Sequence, residues 1–501
     1  MQSGSTSPDI SRADDRIDPH VKRVAIVIVL SSIMSILDTT IVNVALDSLS
    51  KDLHTPLNNI QWVITAYLLA LAAVIPLSAW TIRRFGAFAV YMQALVLFTI
   101  GSALCGLATS APELILFRAL QGVGGGLLVP TGMTILVNAA GPVNLPKVMS
   151  AIGVPMVLAP VFGPTLGGFL LQSVSWHAIF MINVPIGIVT AIVAIRLLPR
   201  ERPEPGSAGR LDWPGLLLAG AGTVGITYGL SQSATVGSFT SGEVIVPVLV
   251  GIVLVIAFVL RARRITHPLL DLRLYAIRAY SSATVVMFCL GAALFGAMIL
   301  LPLYFQVARG QDAIHTGLLL VPQGVGASIG MNRSAMATRR LGAGLTSLIG
   351  VLVVVVATLP FLFMGANTSY LTIGIAMVVR GVGVGLAMMP AMTAAFSTLD
   401  HEQVNDASPQ LNVIQRVGGS LGTAVIAVIL QQKLDHVRTN LGPHAKAAAV
   451  AASFAQTYSW VIGLSVVAIV PAIMLWRVER RTRAEGTVGE LPEDAVVEAL
   501  A

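Results

Sequence analysis

The chain has 501 residues, of which 55% are hydrophobic and only 11% are charged. A soluble domain carries about 25% charged residues, so this chain cannot coat a water-facing globule, and its apolar content excludes disorder. The net charge of +7, from 31 Lys+Arg against 24 Asp+Glu, sits in short segments between apolar runs and reports membrane topology rather than nucleic-acid binding.

Apolar runs long enough to cross a hydrocarbon core of ~30 Å recur along the whole chain, and the short alternating segments of a barrel do not. A polar N-terminal tail, 1–23, is followed by predicted spans at 24–47, 60–80, 86–108, 113–137, 147–171 and 176–198. These form an N-terminal bundle, 24–198. A linker, 199–279, opens on the proline-rich stretch Pro199 to Arg210 and adds spans at 211–231 and 243–261. Its segment His267 to Leu272 is expected at the membrane interface. Spans at 280–306, 314–337, 344–365, 370–396, 406–432 and 456–477 form a C-terminal bundle, 280–477, before a tail, 478–501. The expected fold is an all-α membrane protein of fourteen transmembrane helices. Cys105 and Cys289 fall inside apolar runs, which argues against a disulfide or a metal site. The first span is long and follows a polar tail, so no cleavable signal peptide is expected.

The two bundles repeat. Arg83-Arg84-Phe85-Gly86-Ala87 resembles Arg339-Arg340-Leu341-Gly342-Ala343 at an offset of 256 residues. Gly122-Val123-Gly124-Gly125-Gly126-Leu127 resembles Gly381-Val382-Gly383-Val384-Gly385-Leu386 at 259, and Gly163 and Gly167 match Gly418 and Gly422 at 255. Matches in order at nearly one offset point to duplication. Two related six-helix bundles with two linker helices, rocking about a central site, is a transporter plan.

An ionisable side chain in hydrocarbon needs a reason. Asp38 is the only carboxylate well inside a predicted span, and Ser31 and Ser35 share its helix face. Burial favours a neutral carboxyl and a neighbouring cation a charged one. Such a group serves as a proton site, as a counter-charge for a cationic substrate, or as one half of a structural ion pair. Arg118, with Gln121 one turn on, tunes a nearby carboxylate, holds a watery cavity open, or snorkels outward. In span thirteen Ser408, Asn412 and Gln415 share a face beside Arg416, as a cavity lining or as interhelical hydrogen bonds. Pro160, Gly163, Pro164, Gly167 and Gly168 describe a kinked, closely packed span five that suits a sliding bundle interface. Arg333 reads as snorkelling to the face that holds Arg339. No Walker A run, zinc spacing or nucleophile elbow occurs, so no enzyme, cofactor or metal is expected.

Together these features resemble the major facilitator superfamily, and within it the fourteen-helix drug:proton antiporters of the EmrB/QacA type. Leu37 to Leu46, LDTTIVNVAL, matches the span-one motif, with Asp47 where proline is usual. Arg118 to Gly125, RALQGVGG, matches the span-four motif, and Ala159 to Gly168, APVFGPTLGG, the span-five antiporter motif with Ala159 for the commoner glycine. Trp176 to Gly187 and Leu211 to Gly215 fit the openings of spans six and seven. In the loop after span two, Arg83 replaces the usual acidic residue before Arg84, and Ala79 the leading glycine.

The resemblance implies export of amphipathic or cationic small molecules across the inner membrane, driven by the proton motive force. It gives Asp38 and Arg118 the proton coupling. It places Ser31, Ser35, Gln121, Asn412, Gln415 and Arg416 in the substrate cavity. Pro160, Gly163, Pro164, Gly167 and Gly168 become the hinge, and Arg83, Arg84 and Gly86 a cytoplasmic gate loop. Export of a lipid or endogenous metabolite, and less favoured proton-coupled import, use the same machinery. The expected partners are the substrate, protons and the lipid bilayer, with no nucleic acid. The sequence names no periplasmic or envelope partner. With both termini inside, 22 of the 31 Lys and Arg face the cytoplasm and five face out, the positive-inside pattern. Reporter fusions at Arg210 and Arg483 are therefore expected to read as cytoplasmic. A periplasmic signal at either breaks the fourteen-span topology.

Overall fold

Within hydrocarbon every backbone N–H and C=O must be satisfied inside its own segment, and the apolar runs are helical accordingly. A computed structural model of the protein describes residues 18–200, 209–266, 268–441 and 447–489, and among these every regular element is helical. The N-terminal half holds α1 (Pro19–Asp52), α2 (Leu57–Ile60), α3 (Trp62–Val74), α4 (Leu77–Phe85), α5 (Ala87–Leu107), α6 (Ala111–Ser173), α7 (Trp176–Met181) and α8 (Asn183–Leu197). The linker supplies α9 (Trp213–Val236) and α10 (Gly242–Ala262). The C-terminal half holds α11 (Arg278–Met298), α12 (Leu300–Leu303), α13 (Ala313–Leu341), α14 (Ala343–Thr358), α15 (Tyr370–Phe396), α16 (His401–Leu441), α17 (Ala447–Val467) and α18 (Ile469–Gly489).

Local chemistry sets the ends. Asp18 caps α1 by accepting from the His20 amide at 2.7 Å, with Pro19 at the first helical position. Asp212 caps α9 through the Gly215 amide at 3.0 Å and also binds Arg261 of α10 at 2.9 Å, which ties the linker hairpin together. Predicted spans four and five are the two limbs of α6, joined through Gly141 at φ 61°, ψ 173°. Predicted span two is the pair α3 and α4, bent by 57°.

Every predicted span falls on helix. Among the described residues ten helices are long and apolar enough to cross a membrane, and up to eleven when α3 and α4 count as one crossing. The second limb of α6, together with α9 and α13, is helical but is not among them. Glycine, proline and polar residues such as Gln323, Asn332 and Arg333 interrupt the apolar surface there. Arg333 is exposed on α13.

The repeat reappears as packing. The pairs α1 with α6, α3 with α6 and α5 with α6 correspond to α11 with α16, α13 with α15 and α14 with α15. The matched glycines sit at these crossings. A Cβ on Gly124 would lie 2.6 Å from the Phe98 nitrogen, and one on Gly383 would lie 2.7 Å from the Val354 nitrogen. The same helix pair therefore closes backbone to backbone in both halves, as small residues permit.

One buried cluster joins both halves at the end that holds the chain's two described ends; it includes Val21, Met149, Met331, Phe396 and Leu475. Away from that end the described cores separate. One, with Ile41, Val63 and Phe180, belongs to the N-terminal half, and one, with Tyr304, Phe361 and Tyr458, to the C-terminal half. Leu269 and Leu270 of the linker segment are buried against Ala79, Ala219 and Phe258, which removes their apolar surface from solvent. His267 lies outside the described residues.

Backbone contact at Gly124 sets a direct test. Gly124→Val is expected to lower the unfolding temperature of the purified protein, at a cost of ~1–3 kcal/mol. Gly463→Val, where an added Cβ meets nothing within 4 Å, is expected to leave it unchanged. Equal melting of the two variants would show that the crossing is not close-packed.

Candidate functional site

Five helices bring polar side chains together inside the N-terminal half. Asp38 on α1 is 1% exposed, and Arg118 and Gln121 on α6 are fully buried. Arg118 Nη1 donates to Asp38 Oδ2 at 2.6 Å and to Gln121 Oε1 at 2.8 Å. Gln121 Nε2 donates to Asp38 Oδ1 at 2.9 Å. Asn183, the first residue of α8 after the break at Ile182, donates to the same oxygen at 3.0 Å. It also donates to Ser102 Oγ of α5 at 3.0 Å, and Ser102 donates to the Phe180 carbonyl at 2.9 Å.

Arg118 has a second set of partners. Its Nε donates to the Val63 carbonyl at 3.1 Å, and its guanidinium carbon lies 4.2 Å from the centre of the Tyr67 ring on α3. The cation is thus held by a carbonyl and an aromatic face as well as by Asp38. Full burial excludes the snorkelling alternative. A buried pair is poor evidence of stability, since desolvation offsets the attraction, but removing one partner strands the other. The arrangement can therefore exchange one state for another: a proton on Asp38 cancels its charge, while Arg118 keeps Val63 and Tyr67.

The other expected site residues divide. Ser31 accepts from Tyr91 Oη at 2.8 Å and donates to the Ile28 carbonyl, and Ser35 lies 3.4 Å from Tyr67 Oη. Ser31, Ser35 and Gln121 are buried inside the N-terminal half. The shared face of α1 turns toward α3 and α5, where hydroxyls find partners. On α16 Asn412 donates to its own Ser408 carbonyl at 2.9 Å, while Gln415 and Arg416 are half-buried.

Gly163 and Gly167 face Thr40 and Ile41 of α1. This close approach lies within one bundle and not across the sliding interface, because the antiporter limb of α6 lies along α1 there. Gly168 is buried on the same helix, and the side chains of Pro160 and Pro164 lie outside the described residues. The contact between bundles comes earlier on the limb. A Cβ on Gly153 would meet Met331 Sδ at 2.6 Å and Met389 Sδ at 2.9 Å.

Two polar contacts flank that point. Ser150 and Ser334 hydroxyls lie 2.8 Å apart, and Ser408 Oγ donates to the Pro130 carbonyl at 2.9 Å. The gate loop adds a charge. Arg83 Nη1 meets Asp406 Oδ2 of α16 at 2.7 Å, and Asp406 Oδ1 accepts from the Asp271 amide at 3.2 Å. The basic residue that departs from the superfamily pattern thus makes a salt bridge between the bundles. Arg84 is exposed, and Gly86 holds φ 84° between α4 and α5, a conformation that favours glycine. Among the described residues no group of His, Cys, Asp or Glu gathers to hold a metal ion.

Asn183, Ser102 and Tyr67 are the side chains of the buried network that sequence reasoning missed. A lone Asn inside an apolar run was the available signal. Two repeated helical bundles, the first enclosing a buried ion pair, are the plan of a polytopic transporter. The chain matches the family model described as Major Facilitator Superfamily over residues 28–423, and it belongs to that superfamily. It is 38% identical over 427 residues to the multidrug resistance protein B homolog of Mycobacterium tuberculosis (strain ATCC 25618 / H37Rv), covering 84% of this chain and 78% of that protein. It is 33% identical over 404 residues to the MFS-type transporter YhcA of Bacillus subtilis (strain 168), covering 81% and 75%. Among solved structures, the human organic anion transporter MFSD10 superposes with a TM-score of 0.58 at 14% identity, covering 89% of this chain and 100% of that one. The proton:xylose symporter XylE superposes with a TM-score of 0.57 at 14% identity, covering 92% and 96%. At that identity the likeness concerns the fold alone.

The salt bridge between Arg83 and Asp406 is expected to act as a latch. Arg83→Ala should raise thiol labelling of a Ser334→Cys variant several-fold, since the seam beside it loosens. Exchanging the two charges, Arg83→Asp with Asp406→Arg, should restore slow labelling. Labelling that ignores all three changes would show that the pair holds nothing closed.

Proposed function

We propose that this transporter exports amphipathic small molecules across the plasma membrane in exchange for protons, with Asp38 as the proton carrier. The observation that carries this reading is the isolation of Asp38 inside a complete hydrogen-bonded network with a permanent cation. A proton-coupled exporter needs one group that is charged in one state and neutral in another, and Arg118 cannot give up its proton. The name of the M. tuberculosis relative supports a drug-like substrate. Fourteen crossings with both ends in the cytoplasm fit the distribution of Lys and Arg.

In this account the sealed end faces the cytoplasm, and the bundles part toward the outside. A proton entering from outside reaches Asp38, releases it from Arg118, and frees α1 to shift against α6 and α8. The latch at Arg83 and the seam at Ser150 and Ser334 then open inward for substrate. Asp38 is already answered by Arg118, so counter-charge for a cationic substrate is not its role here.

Asp38→Asn keeps shape and most hydrogen bonding but cannot titrate. In proteoliposomes with an imposed pH gradient, it is expected to abolish uphill export while the protein still inserts. Asp38→Glu should keep partial activity. Parental export by Asp38→Asn would end this mechanism and move coupling to carboxylates at helix ends, such as Asp406.

A further inference from the structure

The C-terminal bundle repeats the plan of the N-terminal one but not its charges. The offset of 259 residues that matches Gly122 with Gly381 also matches Gln121 with Arg380. The offset of 256 that matches Arg83 with Arg339 also matches Tyr67 with Gln323. Arg380 therefore stands on α15 where the N-terminal half builds its ion network on α6.

Arg380 is 1% exposed. Its Nη1 donates to Gln323 Oε1 at 3.3 Å, a long bond, while Nε and Nη2 have no acceptor among the described residues. Tyr458 on α17 lies within electrostatic reach of the guanidinium, and its buried hydroxyl is also without a partner. In the N-terminal half Asp38 on α1 answers the cation. Its counterpart α11 contains no acidic residue, and neither do α13, α15 or α17. A guanidinium stays charged and offers only donors, so a buried one left unpaired is strongly unfavourable. On α16 Arg416 is half-buried and lies in electrostatic reach of Tyr67 in the N-terminal half, with no ion-pair partner among the described residues.

We propose that the C-terminal bundle holds a subsite for the acidic group of the transported molecule, in which Arg380, with Gln323 and Tyr458, binds a carboxylate or sulfonate on an amphipathic organic acid. The ligand supplies the negative charge that Asp38 supplies in the other half. The substrate class is then anionic amphiphiles rather than cations. This rests on the export reading for the site's purpose, but not on proton coupling.

The test uses the full-length protein in lipid nanodiscs, without a gradient, titrated with 2-naphthalenesulfonate and with the similarly sized 2-naphthyltrimethylammonium. Saturable binding of the sulfonate and none of the ammonium is expected. Arg380→Met should weaken sulfonate binding at least tenfold, Arg380→Lys less, and Tyr458→Phe several-fold. Without probe, Arg380→Met should melt at or above the parent, because it removes an unpaired buried charge. Sulfonate binding unchanged in Arg380→Met would overturn the subsite, as would a preference for the ammonium. Melting of Arg380→Met well below the parent would assign Arg380 a structural role and overturn it too. Failure of proton-driven export leaves this binding result standing, and loss of sulfonate binding leaves proton coupling standing.

Discussion

The ion pair between Asp38 and Arg118 is the constraint around which the N-terminal half is built. Two opposite charges placed out of water require close approach and full hydrogen bonding, or the desolvation cost exceeds their attraction. Meeting that requirement draws in Gln121 from the helix of Arg118 itself, and Val63, Tyr67, Ser102 and Asn183 from three other helices. It also explains why α7 and α8 break at Ile182: the break presents Asn183 to the carboxylate. Removing one member of such a pair costs ~3–5 kcal/mol, because the other is left buried and unanswered. A proton is the one change that relieves the carboxylate without removing it.

In the proposed mechanism the rest of the molecule turns that local exchange into movement. Glycine contacts such as Gly122 against the Tyr67 carbonyl and Gly163 against Thr40 make the N-terminal half a tight body. The seam between halves is different in kind. Methionines at Gly153, paired serines and one partly exposed salt bridge line it, and these are contacts that can be made and broken. Thioether side chains adapt to a moving surface better than branched ones. Rigid bundles with a soft seam are what rocking requires, and the repeated crossings of α6 and of α15 supply the rigidity twice.

Much of this was legible in the sequence, for stated physical reasons. Charge is so costly in hydrocarbon that Asp38 and Arg118 stood out at once, and helical spacing placed Gln121 beside Arg118. Duplication was visible because close crossings demand small residues at fixed places. What escaped was the identity of neighbours. Helical periodicity shows that Ser31, Ser35 and Asp38 share a face, but not that the face turns to Tyr91 and Tyr67. Gly163 was legible as a close contact, and its partner α1 was not. Asn183 is 145 residues from Asp38 and Asp406 is 323 from Arg83, separations at which no pattern in one sequence announces a contact. Neutral polar residues and tyrosines are also ordinary enough in spanning helices to pass unnoticed.

The central claim is that Asp38 itself gains and loses the proton, and infrared difference spectroscopy of the reconstituted protein tests it without a transported ligand. Lowering the pH should produce, reversibly, the carbonyl stretch of a protonated carboxylic acid in the parent protein. The account predicts that this band is missing in Asp38→Asn and shifted in Arg118→Lys, where the partner changes but the charge remains. A band of equal size and position in Asp38→Asn would place the proton on another group and contradict the account.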